Sequence, residues 1–435
     1  MLIYTIATVL TLGLVAWLYP GHKETRVAES IVGKERTEIK TKVVWSLTIK
    51  KKKILSCILA MIPFLAVMSA RWCVGVDTWY TYTPEYLAMK SESVPLTGEE
   101  EEIMQNSSRL IAKWFDREKP KEELNEIPLE DVYSVFRTTA RHTSIGFQWL
   151  QKLLVFFHAD VQWLYFATSI IILGLIFAAI WQQSAWPLLS CLFFVITGNF
   201  FLSMNIVSQY IAVAICLFAC AYAEKRKPIW FFLLVALAAT FHISALVFLP
   251  VYFLPKLKIK PLWCIIAIAA TLFIAQFAFP LIKKLVEVIA PKYARHFEMS
   301  ADFEWIFFAI GCAVLALGTY YYNKGVELPY FRLWYYMNVL GVIALAFSGN
   351  IPLMKRINYY FAVPHFLLLP KLLNLEKDKK KRIALKILTI GLFTAQIIIA
   401  IWHLNKHATL PYYAFFQADR NEIMQSLLDS LQGHW

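Results

Sequence analysis

The sequence has no Cys-x2-Cys pair and no Cys/His cluster at metal-ligand spacing, so neither a zinc site nor a thiol redox motif is indicated and no metal is expected. Its seven cysteines are scattered, six of them (Cys57, Cys191, Cys216, Cys220, Cys264, Cys312) inside apolar runs where they read as packing residues. Charge is scarce, with 17% Asp, Glu, Lys and Arg. The apolar runs lack the alternation of barrel strands. Repeated halves, which many transporters show, are not evident. No basic segment precedes the first apolar stretch and no small-residue cleavage site follows it, so it reads as a first span rather than a signal peptide.

What is present is apolar surface. The 435 residues are 59% apolar and 16% aromatic, with a mean hydropathy of +0.53, well above a soluble domain. Runs of roughly 17 to 25 apolar residues recur, and a spanning helix needs about 20. The expected fold is all-α, a polytopic membrane helix bundle of roughly 10–12 membrane segments in one integral domain over 1–435. The net charge of +13 comes from basic residues in loops between apolar runs, which is the positive-inside pattern and not a nucleic-acid surface.

The first span covers about Leu2 to Leu18, and a basic segment follows with Lys50 to Lys53 at its end. A second span, Ile54 to Ala70, leads to a long outer loop over residues 71–160 with an acidic middle, Glu99 to Glu102 and onward. At its end Ile145 to Phe157 is apolar at helical spacing but interrupted by Gln148, Gln151 and Lys152, which predicts an amphipathic helix lying on the membrane. Spans follow at about 161–181, 187–201 and 204–222. Between the basic clusters Lys225–Lys227 and Lys377–Arg382 lie five apolar runs, at about 229–253, 262–282, 303–322, 331–347 and 351–369. An odd number of crossings cannot return to one side. Either Ile229 to Phe253 enters and returns, turning near Ala239 to Ser244, or a later run such as 331–347 does not cross. Both put the last span, Ile383 to Trp402, with its end outside, and the tail 403–435 and the N-terminus are then extracytoplasmic.

Chemistry concentrates in Arg71-Trp-Cys-Val-Gly-Val-Asp-Thr-Trp-Tyr-Thr-Tyr-Thr-Pro-Glu-Tyr86. Arg71 and Asp77, with Gly75 between them to permit a turn or a close approach, can bind a phosphate and activate a hydroxyl; equally, Arg71 can anchor a helix end by snorkelling within an aromatic belt. His242, flanked by Thr240 and Ser244 in an apolar run, is either a satisfied packing residue or a proton carrier lining a cavity. Asn205 to Tyr210, with Gln209, can cap a helix or bind sugar hydroxyls. Lys355 and Arg356, at an outer span end by the parity argument, suit a ligand anion. Arg137, Arg141 and His142 add cations before the amphipathic helix.

These residues fall in an order that resembles the EpsG family of Wzy-like exopolysaccharide polymerases. The resemblance rests on Arg71-x3-Gly75-x-Asp77-x2-Tyr80-x5-Tyr86, Gly146-Phe-x2-Leu150, Gln209-Tyr-Ile-Ala212, Ala239-x2-His242-x-Ser244-Ala245, Arg356-Ile-x-Tyr-Tyr-Phe361 and Pro411-Tyr-Tyr-Ala-Phe-Phe416. Two positions depart from the family's pattern: Ser144-Ile145 where an acid is common, and Ser208 where an Arg is common. The resemblance implies an enzyme of the bacterial cytoplasmic membrane that polymerises polyprenyl-diphosphate-linked oligosaccharide repeat units on the outer face. It implies Arg71 and Arg356 for the diphosphate, helped by Arg141 or Lys355. Asp77 or His242 would be base or orienting group, and Tyr80, Tyr86 and Gln209 would meet sugar. No cofactor is implied; membrane lipids, a flippase and a chain-length regulator are the implied partners. A lipid-linked oligosaccharide flippase or a transferase adding one sugar are the rival readings.

Overall fold

The structure, a computed structural model, describes residues 1–18, 38–115, 144–281, 283–284, 303–403, 409–417 and 419–430. Its first elements are α1 Leu2–Leu18, α2 Glu38–Ala70, strand β1 Arg71–Trp72, a π-helical turn Thr78–Tyr82, α3 Thr83–Ser91, α4 Gly98–Phe115, α5 Ile145–Phe156 and α6 Gln162–Gln183. Next come α7 Pro187–Ile196, α8 Asn199–Asn205, α9 Val207–Glu224, α10 Pro228–Phe241, a 3-10 helix Ile243–Lys256 and α11 Pro261–Phe273. The last are α12 Trp305–Asn323, α13 Phe331–Ala346, α14 Pro352–Ala362, α15 His365–Asn374, α16 Lys379–Ile398, β2 Tyr413–Ala414 and α17 Arg420–Ser430.

Five described helices are long and apolar enough to cross a membrane, and a sixth crossing results if α7 and α8 are one broken span. These five are the Lys52–Ala70 part of α2, α6, α9, α12, and α16 extended to Ile401. Five shorter apolar helices accompany them. The chain is therefore an all-α polytopic membrane bundle. Burial separates its helices by role: 78% of the apolar window of α9 is buried but only 11% of that of α16. An apolar helix left exposed along its length has lipid as its partner.

The described chain divides into two compact units. The first combines Met1–Trp181, Gly198–Ile211 and Thr394–Trp435. Here α1 packs along α2, and the Tyr4 ring meets the edges of Phe200, Phe201 and Tyr412 while its hydroxyl donates to the Thr409 carbonyl at 2.8 Å. Strand β1 pairs antiparallel with β2, with Arg71 opposite Ala414 and Trp72 opposite Tyr413. Phe415 N–H continues the pairing to the Ala70 carbonyl at 2.9 Å. Helix α5 has the expected amphipathic form: Ile145, Trp149, Leu153 and Phe156 are exposed, whereas Phe147, Gln151 and Val155 are buried.

The second unit combines Gln182–Thr197 and Ala212–Phe393. The run 229–253 is broken at His242, whose extended backbone (φ −157°, ψ 118°) separates α10 from the 3-10 helix. The two halves lie side by side. Phe231 stacks on Phe248 and contacts Tyr252, and Arg226 donates to the Tyr252 carbonyl at 2.8 Å. With 14 residues, α10 is about 21 Å long, short of the roughly 30 Å hydrocarbon core. This segment is thus two short helices broken at His242 and packed on each other. A second break corrects the sequence reading: 351–369 is not one span but α14 and α15, separated at Val363-Pro364 because a proline disfavours helix in the residue before it and lacks the amide for the ladder. The polar groups so buried are satisfied. His365 Nε2 lies 2.7 Å from Asn338 Oδ1, and Asn338 Nδ2 donates to the Gly311 carbonyl at 3.0 Å.

Candidate functional site

The Arg71 stretch begins where α2 runs out and β1 pins its backbone to β2. The Arg71 side chain is fully buried. Its Nη1 donates to the Met68 carbonyl and to Ser169 Oγ at 3.2 Å, and the guanidinium lies 5.0 Å from the centre of the Tyr165 ring. Among the described residues, Nε and Nη2 have no hydrogen-bond partner and no carboxylate forms an ion pair with the guanidinium. Burial lowers its pKa to about 10, against the raising effect of Tyr165 and three further tyrosines, so it stays charged at neutral pH. Burying a cation without an anion is costly. That rules out the snorkelling reading, which keeps the charged head in water, and also an Arg71–Asp77 ion pair.

After Trp72 the chain turns at Gly75, where φ is 95° and Thr78 N–H closes onto the Gly75 carbonyl at 3.1 Å. This turn rests on the end of α8. Asp77 N–H donates to Asn205 Oδ1 at 3.1 Å, and Ser208 N–H donates to the Tyr82 hydroxyl at 3.2 Å. The stretch 71–86 and the cluster 205–210 are therefore brought together. Asn205 ends α8, and its side-chain oxygen holds the Asp77 amide. Gln209 is buried in the first turn of α9, beside Ser208.

Asp77 is half-buried. Its charge acts on two neighbours: burial first, and Asp77 second, raise the pKa of the Tyr80 hydroxyl and that of Glu85, the latter to about 8. Glu85, in the first turn of α3, is fully buried with neither carboxyl oxygen hydrogen-bonded. It therefore carries a proton at neutral pH. The sequence reading missed Glu85, because an acid after proline at a helix start is ordinary and nothing local signals its burial. Tyr80 remains partly exposed. Tyr86 does not: it is fully buried and donates to the Ala159 carbonyl at 2.8 Å.

A second cluster is built within the second unit. His242 Nδ1 lies 2.6 Å from Ser244 Oγ, which lies 3.0 Å from the Tyr360 hydroxyl. A hydrogen-bonded chain thus runs from the break at His242 to α14. Arg356 stands one helical turn before Tyr360, on the same face. Lys355 pairs with Glu304, so its charge already has an internal partner. Arg137, Arg141 and His142 lie outside the described residues. Among the described residues, no group of three His, Cys, Asp or Glu side chains could hold a metal ion.

Comparison with known proteins adds one match. The family model described as "EpsG family" matches residues 53–414, a range that holds both clusters and ends at the last residue of β2. No curated protein and no solved structure matches the chain.

Proposed function

The chain belongs to the EpsG family, with a polysaccharide-polymerase-like role in the membrane, and from that premise we propose that it joins polyprenyl-diphosphate-linked oligosaccharide repeat units into exopolysaccharide. In this reaction a hydroxyl of one unit attacks the reducing-end carbon of the sugar carried by another. The new glycosidic C–O bond forms as the bond to the diphosphate breaks, and the polyprenyl diphosphate leaves with the bonding electrons. The attacking hydroxyl's proton goes to a base. The substrate is already activated, so no cofactor is needed.

The observation that carries this reading is the buried Arg71 guanidinium, with two nitrogens unpartnered and no carboxylate on it, in a stretch that also holds Asp77. A fixed cation in a water-poor setting stabilises charge developing on a leaving diphosphate more strongly than one in water. Asp77, half-buried, is the proposed base. Neutral Glu85 adds no second negative charge beside the anionic leaving group and keeps Asp77 from facing an ionised neighbour. Arg356 remains a proposed anion contact in the second unit, and the His242–Ser244–Tyr360 chain is the alternative base. The proposed setting is the bacterial cytoplasmic membrane, basic loops inside and both termini outside, with a flippase and a chain-length regulator as partners.

The test is the polysaccharide and lipid-linked precursor content of cells carrying the intact protein, Arg71→Ala, Asp77→Asn or His242→Ala at matched membrane levels. Single lipid-linked units accumulating on the outer face, with loss of polymer, is the expected result for Arg71 and Asp77. Units accumulating toward the cytoplasm would make the protein a flippase, and a product one sugar longer would make it a single-sugar transferase.

A further inference from the structure

Four loops of the second unit converge on one end of it. They are 225–227 between α9 and α10, 257–260 between the 3-10 helix and α11, 324–330 between α12 and α13, and 375–378 between α15 and α16. Contacts tie each to another. Arg226 donates to the Tyr252 carbonyl at 2.8 Å, four residues before Lys256, and Glu224 takes the Tyr330 amide at 2.8 Å. The Tyr336 hydroxyl, 3.0 Å from that of Tyr322 at the end of α12, accepts from the Ile259 amide at 2.9 Å and donates to its carbonyl at 3.1 Å. Lys371 donates to the Pro329 carbonyl, and Lys386 donates to Asn374 Oδ1 at 2.7 Å.

This end is strongly basic. Lys225 and Lys227 are exposed in the first loop, Lys256, Lys258 and Lys260 in or beside the second, Lys324 in the third, and Lys377 with Lys379–Lys381 in or beside the fourth. Among the described residues, none of these lysines forms an ion pair. The acids beside them are engaged otherwise: Glu224 with the Tyr330 amide, Glu327 with Arg332, and Glu376 and Asp378 with amides of their own segment. The lysines are therefore not neutralised from within the described chain.

Their neighbours indicate what they face. Trp230 and Trp263, 57% and 61% exposed, stand three residues after Lys227 and Lys260, and Phe253, also 57% exposed, stands three before Lys256. Exposed rings so close to exposed lysines mark a membrane–water interface, where indoles settle at headgroup level and lysine stems carry their charge to the surface. An acidic protein or a free anion would meet the lysines and leave the rings in water. A lipid leaflet covers both.

We infer that this end of the second unit binds anionic phospholipid, with phosphates at the lysines of the four loops and acyl chains along Trp230, Phe253 and Trp263. The surface is defined by occupancy and not by turnover, so it stands apart from the polymerase reading.

The test uses the full-length protein in nanodiscs of mixed phosphatidylcholine and phosphatidylglycerol, with a diazirine near the head of the acyl chain of one lipid or the other. Labelled positions are mapped by mass spectrometry, and α5, in the first unit, is the internal reference. The phosphatidylglycerol probe is expected to label the segments holding Trp230, Phe253 and Trp263 at least about five-fold above the phosphatidylcholine probe, the effect of one lysine near an anionic surface. Added salt should shrink that preference. Lys256→Gln, Lys258→Gln and Lys260→Gln together should bring the two probes close to parity at Phe253 and Trp263 and leave the α5 ratio unchanged, whereas arginine at the same three positions should keep the preference. Equal labelling by the two probes overturns the inference. So does a preference that the glutamines leave unchanged or that the arginines lose. Capture of an oligoglutamate peptide that phosphatidylglycerol does not displace would make this a protein-docking surface and overturn it as well.

Discussion

Gly75 faces the Met204 carbonyl so closely that a Cβ on it would stand 2.8 Å from that oxygen and 3.1 Å from the Asn205 Cα. Both obstacles are backbone, and φ at Gly75 is 95°. Gly75→Ala therefore meets a steric clash and a strained dihedral together, a cost of about 1–3 kcal/mol for the strain alone. It should lower the thermal unfolding midpoint in detergent and, by moving Asp77 off Asn205, abolish polymer formation.

Arg71→Met separates fold from chemistry. Replacing a buried charged group by an apolar side chain of similar length is often neutral or stabilising, so membrane level and thermal midpoint should hold or rise while polymer disappears. Arg71→Lys should also lose polymer, because an ammonium lacks the planar fork whose Nε and Nη2 are left for a diphosphate. Retained polymer in the methionine variant would end the diphosphate role.

Glu85 sets a pH dependence of stability. Its folded pKa of about 8 lies above the ordinary 4.5, so the folded state holds the proton more tightly. Its contribution is full at acid pH and is lost as pH rises toward and through 8. Glu85→Gln keeps the shape without the ionisation. Its thermal midpoint should match the parent's at about pH 4 or below and exceed it at about pH 8.5 by the equivalent of roughly 1 kcal/mol or more, read from paired melts across that range.

The choice of base is a matter of magnitude. Removing a general base typically costs 10²–10⁴-fold, so Asp77→Asn should lower the rate of polymer formation by about that factor. Tyr360→Phe, which cuts the chain from His242 at its far end, should lower it less than about ten-fold. The reverse ranking would move the base to the second unit.

Much of this was readable from the chain alone. The long apolar runs marked the helices because a spanning helix must satisfy its own backbone, and polar Thr240, His242 and Ser244 inside such a run marked the break at His242. Gly75 between Arg71 and Asp77 marked the tight approach. Long-range pairing was not readable. That Lys355 meets Glu304, that Arg420 meets Asp160 and Glu99, and that Glu85 meets nothing are set by distant segments converging, while each residue's neighbours in sequence look unremarkable. Tyr86 is a like case: nothing near it in an aromatic row foretells that the Ala159 carbonyl takes its hydroxyl.

The pairing of β1 with β2 carries a consequence for how the protein is made. Arg71 emerges from the ribosome early, yet Ala414 opposite it, and Arg420 that locks the tail onto Asp160 and Glu99, emerge among the last residues. A nascent chain can insert its spans one after another and still lack the strand that frames Arg71. A product that ends before β2 is thereby left without the strand that pairs with Arg71 and Trp72.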